Sequence, residues 1–192
     1  MDLTNVSDQV KNNRAKKMML WFGIVSLIMG FAGWTSAYII SSKRDDWMVE
    51  LELPQAFFIS TVLLIFSSVT YMFSVSATKK GNSKLTTQLL FATLGLGIAF
   101  IVMQFQGFNA MIASGYYFTG PTSNITLSYI FLIAMVHIVH VVAGLISLLV
   151  VLYNQLKGKY SATTWLGLEL GATFWHFLDL LWVYLILFFY FY

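Results

Sequence analysis

Five long apolar runs, parted by short polar segments, organise the chain. They cover residues 18–40, 54–77, 85–112, 125–153 and 165–192. Each exceeds the ~20 residues that an α-helix needs to cross a bilayer's hydrocarbon. None alternates with period two, as the ~10-residue strands of a membrane barrel would. The pattern predicts an all-α integral membrane protein: five transmembrane helices in a single membrane domain, 1–192. Short connections make consecutive helices antiparallel neighbours and leave no room for a soluble domain. The first run is too long for a signal peptide's apolar core of ~7–15 residues, so it is read as a retained span.

Composition agrees. Of 192 residues, 58% are hydrophobic and only 10% charged, against roughly 25% charged in soluble domains. There is no cysteine. Disulfides, thiolate zinc sites, iron–sulfur clusters and Cys-ligated copper are therefore excluded. The placement of charge says more than its sum. Lys11, Arg14, Lys16 and Lys17 precede the first run. Lys79, Lys80 and Lys84 fill the second loop, and Lys157 and Lys159 the fourth. Only Lys43 and Arg44 lie in the first loop, beside Asp45, Asp46, Glu50 and Glu52. The positive-inside rule then puts the N-terminus inside and the C-terminus outside. The closing aromatic run, Phe188 to Tyr192, suits an outer interfacial belt. The basic residues are topology signals rather than a nucleic-acid surface.

Polar residues within the runs carry the candidate chemistry. The first run has a stripe of small residues, Ser26, Gly30, Gly33 and Ala37, that suits close helix packing. Hydroxyls in the second, including Ser60, Thr61, Ser67, Ser68 and Thr70, can bond back to their own helix and need no partner. Gln104 and Gln106 in the third can hydrogen-bond across helices. The fourth run holds His137 and His140, which share a helix face, with Gly144 and Ser147 on the same stripe. The fifth holds Glu169, His176 and Asp179. Ionisable groups in hydrocarbon turn inward, toward partners. An antiparallel hairpin centred on Gly158 sets His140 opposite His176 and His137 opposite Asp179. It also sets Ser147 opposite Glu169 and Gly144 opposite Ala172.

Such a cluster admits three readings. It could be a metal or heme site, because neutral imidazole is a common ligand. It could be a proton path. It could be a structural network in which imidazole and carboxylate satisfy one another. The residues weight the third most. Packing of Gly144 on Ala172 would bring the helices too close for a heme. A b-type cytochrome anchor or small transporter is the alternative function.

The last run resembles a known family. Glu169 is followed by Trp175-His176-Phe177, Asp179 and Trp182, the hallmark of the final helix of heme–copper oxidase subunit III. His137, His140 and a following small residue, Gly144, match the helix before it. The resemblance extends over all five runs and is to the short, five-helix bacterial form. It implies a subunit of cytochrome c oxidase or quinol oxidase with no catalytic residues, heme or copper of its own. Heme and copper are expected in its partners, subunit I and other oxidase subunits. Phospholipid is an expected companion, and a larger respiratory supercomplex a further setting. The implied role is to stabilise the catalytic subunit and support proton uptake and turnover during oxygen reduction. The implied location is a bacterial inner membrane, with no nucleic-acid partner. The His/Asp/Glu cluster then becomes a structural polar network. One position departs: Leu27 stands where the family usually has a membrane-embedded Glu, so that residue's role does not carry over. Gln106 aligns with a further position that is often acidic.

Overall fold

The computed structural model describes residues 8–48, 53–120 and 123–191. Glu50 and Glu52 of the acidic first loop, and Tyr192 of the closing aromatic run, lie outside them. Five helices account for most of the described residues: α1 Asp8–Ser41, α2 Gln55–Lys79, α3 Ser83–Ala113, α4 Ile125–Leu156 and α5 Leu166–Phe191. All five are long and apolar enough to cross a membrane. The only β pairing among the described residues is a bridge between Ser161 and Thr164.

The helices start and stop for local reasons. Asn82 and Asn124 cap α3 and α4, their side chains accepting from Leu85 N at 3.1 Å and Thr126 N at 2.8 Å. Gly158, at φ +67°, takes the left-handed conformation that ends α4 just past Lys157. α1 begins well before its apolar stretch and stays helical through all four basic residues. In the first loop Arg44 holds Asp46 through two bonds, at 2.8 and 3.0 Å.

α2 through α5 form the core, with α2 against α3 and α5, and α4 against α3 and α5. α1 packs on α4 and α5 alone. It does so through Ile24, Phe31, Thr35 and Tyr38. Near its C-terminal end, Tyr38 sits among Trp47, Tyr129, Phe188 and Phe189, with ring centroids 4.7–6.1 Å away. Much of the outer surface is large and apolar, from Met19 and Phe22 on α1 to Leu180 and Phe191 on α5. That is the surface expected where hydrocarbon, not water, is the solvent.

Ser26, Gly30 and Gly33 correct an expectation. They face away from the other helices, and a Cβ at Gly30 or Gly33 would meet nothing within 4 Å. The bulky stripe with Phe31 turns inward instead, because it covers more of α4 and α5 than small residues could.

Candidate functional site

The six ionisable and polar residues expected to form one network on α4 and α5 do not close into one network, although His176 and Asp179 line one groove with Ser68 of α2. His137 is fully buried in an aromatic cage. It stacks on Trp182 at 5.2 Å and meets the edges of Phe31 and Phe100, each at 6.2 Å. Neither of its ring nitrogens has a partner among the described residues. His140 turns toward α1. Its Nδ1 lies 2.7 Å from the Val136 carbonyl, and its ring meets Phe31 at 5.7 Å. Ser147 is half-buried on α4. Glu169 sits in the first turn of α5 and pairs with Lys17 of α1 at 3.5 Å. His176 hydrogen-bonds through Nδ1 to Ser68 of α2. Asp179 is buried, and it lines a groove with Ser68 and His176.

The α4–α5 register explains this rearrangement. Gly144 packs against Trp175 and Leu178, not Ala172, and His137 faces Trp182, not Asp179. The displacement is about one helical turn. Gly158 ends α4 but is not the midpoint of the hairpin. Residues after it make a second tight turn, closed by Ser161 and Thr164 at 3.2 and 3.1 Å, before α5 begins. That extra turn moves the centre toward the C-terminus.

The motif tryptophans hold the bundle together. Trp175 Nε1 donates to Ser67 at 2.9 Å, and Trp182 Nε1 donates to Thr61 at 3.0 Å. Both acceptors are on α2. Trp175 also wedges between Gly97 of α3 and Gly144 of α4, where added Cβ atoms would lie 2.8 and 3.3 Å from its ring. Trp182 meets Phe100 of α3 edge-on at 5.4 Å. Two residues of α5 thus touch all three other core helices. Phe177 is partly buried and lines, with His176, an apolar cleft of ≈580 Å³ between α1 and α5.

The α2 hydroxyls do more than bond to their own helix. Thr61 donates to the Phe57 carbonyl at 2.7 Å and still accepts from Trp182. Ser60 donates to the same carbonyl at 2.8 Å and accepts from Gln104 Nε2, also at 2.8 Å. A hydroxyl has one proton and two lone pairs, so back-bonding leaves an acceptor free. Gln104 is fully buried in this cross-helix bond, whereas Gln106 is exposed.

Sequence reasoning missed Ser67, Ser68, Thr61, Gly97, Lys17 and Phe31 as partners. A count of donors could have found Ser67 and Thr61, because a buried indole N–H needs an acceptor. Among the described residues, no group of three or more His, Asp or Glu could hold a metal ion. His140 and His176 engage different elements, so they do not present the opposed pair that a heme requires.

Five apolar helices, α5 fastened to α2 by two tryptophan–hydroxyl bonds, define a polytopic α-helical membrane protein. The profile of the family Cytochrome c oxidase subunit III matches residues 47–192. The chain is 28% identical over 184 residues to cytochrome bo(3) ubiquinol oxidase subunit 3 of Buchnera aphidicola, covering 94% of this chain and 88% of that one. It is 33% identical over 132 residues to the subunit of the same name in Pseudomonas aeruginosa, covering 69% and 61%. Cytochrome c oxidase subunit 3 of Felis catus is 30% identical over 177 residues, covering 84% and 64%. The chain belongs to the cytochrome c oxidase subunit III family of the heme–copper oxidases. It is a multi-pass inner-membrane protein and part of an oxidoreductase complex whose hemes and copper belong to partner subunits.

Proposed function

We propose that this chain is a non-catalytic scaffold within its oxidase, holding the catalytic subunit I and supporting its proton uptake and turnover. The observation that carries this is the use made of the polar residues. Trp175, Trp182, Ser60, Thr61, Ser67 and Gln104 are spent on cross-helix bonds, and His137 is packed as an aromatic ring. The resemblance implies a structural role for the polar residues, and fixing helix positions is such a role. The whole chain acts as one membrane domain, with its N-terminus inside and its C-terminus outside. Phospholipid in the apolar α1–α5 cleft fits this role, as does assembly into a larger respiratory supercomplex.

The test is a mild-detergent pull-down of the tagged chain from its native membranes. A heme–copper catalytic subunit should co-purify, and the Soret absorbance should leave with that subunit when the two are separated. A Soret band retained by the isolated chain would overturn the proposal in favour of a b-type cytochrome.

A further inference from the structure

The end of the bundle where α4 turns into α5 holds buried polar atoms without partners. Tyr71 of α2 is 1% exposed, and its Oη has no hydrogen-bond partner among the described residues. Ser74 Oγ and Gln155 Oε1 share that condition. Ser74 follows Tyr71 by three residues on one face of α2. That helix ends beside α5, with Lys79 Nζ 5.8 Å from the centre of the Trp165 ring. Gln155 stands in the last turn of α4. A buried hydroxyl left unbonded gives up its hydration for nothing. Such groups are met by protein or by internal water.

Two glycines of α5 show where Tyr71 points. A Cβ at Gly171 would lie 2.5 Å from Tyr71 Oη, and a Cβ at Gly167 would lie 2.6 Å from Tyr160 Oη. Residues four apart on a helix are neighbours, with Cβ positions roughly 5–6 Å apart. The two phenol oxygens thus rest on successive turns of one face of α5, and no hydrogen bond joins them. Two hydrogen bonds of about 2.8 Å, end to end, span such a gap. Tyr160 is half-buried and lines, with Gly167, a polar cavity of ≈400 Å³ between α1 and the α4–α5 loop. Exposed Lys16 and Lys159 also line it, so it is open to solvent. They disfavour a cation, and Glu169, the carboxylate that lines it, is paired to Lys17. A small neutral molecule that both donates and accepts fits the two hydroxyls, and water is that molecule.

We propose that water enters from this cavity and bridges Tyr160 Oη to Tyr71 Oη along the Gly167–Gly171 face of α5, which makes this end of the core a hydrated inlet. Both glycines then have a reason. A methyl group at either position would push a hydroxyl aside and close the way in. The site does not depend on the scaffold role.

Radiolytic footprinting tests it on the chain purified in complex from its native membranes. Brief X-ray irradiation splits water in place, so hydroxyl radicals mark side chains beside bound water even where bulk solvent has no access. Mass spectrometry should find Tyr71 modified, as Tyr160 is. Trp175 is the control: it is equally buried, its indole N–H is bonded to Ser67, and it should stay unmodified. Tyr160→Phe removes one end of the bridge and should abolish the modification of Tyr71. An unchanged melting temperature shows that the variant is folded. A Tyr71 left as unmarked as Trp175 would mean that no water reaches it. Marking that persists in folded Tyr160→Phe would equally overturn the bridge.

Discussion

At the scale of single residues, function in this chain depends on which side chains are allowed to be small. Trp175 reaches α3 and α4 only because Gly97 and Gly144 leave room for its ring. A Cβ at Gly97 would lie 2.8 Å from Trp175 and 2.9 Å from Leu145. Gly97→Ala should therefore destabilise the chain by about 1–3 kcal/mol through overpacking. Gly30→Ala meets open space and should shift stability by no more than about 1 kcal/mol, in the favourable direction set by helix propensity. Thermal unfolding of both variants in one detergent checks the pair. Equal losses would mean that Trp175 is not wedged as described. Much of this scale was hidden in the sequence. The position of Gly144 against a neighbouring helix was legible from its stripe, but Gly97 carries no polar company to draw notice. His137 and His140 share a face, as their spacing says. Yet one enters a cage of rings and the other bonds its own backbone, because an imidazole can pack as an aromatic as readily as it can hydrogen-bond.

At the scale of helices, the α4–α5 hairpin shows how a loop decides chemistry. The polar stripes on both helices were legible from their three- and four-residue spacing. Their pairing was not, because depth matching takes the loop as symmetric about Gly158. The Ser161–Thr164 turn breaks that symmetry. Double-cysteine variants test the resulting register directly. Gly144→Cys with Leu178→Cys should crosslink readily under mild oxidation or with a short bifunctional reagent. His140→Cys with His176→Cys should not, since their side chains point at Phe31 and at Ser68. The reverse outcome would restore the symmetric hairpin. α2 offers a second instance. Its hydroxyls look self-sufficient in sequence, but α5 brings two indole donors that no reading of α2 alone could anticipate. Polar partners between helices belong to the packing, not to either helix.

At the scale of the whole molecule, five spans and their order were legible because hydrocarbon length and apolar composition set them almost alone. The inside–outside assignment rests on the basic residues, and a simple labelling experiment checks it. On intact cells, a membrane-impermeant maleimide should label Ser42→Cys in the first loop and leave Lys80→Cys in the second loop unlabelled until the membrane is broken. The opposite pattern would invert the chain. The arrangement of the spans was less legible than their number, because apolar surface tells a helix to avoid water without telling it which neighbour to choose. Tryptophan–hydroxyl bonds make that choice for α2 to α5, and Phe31 and Tyr38 make it for α1.

That last attachment has a consequence for biosynthesis. Of the five helices α1 leaves the ribosome before the others, yet it packs only on α4 and α5, the later two. It must therefore wait in the lipid, unpartnered, while α2 and α3 close their hairpin beside it. Of these five helices, the first made is the last to find its place.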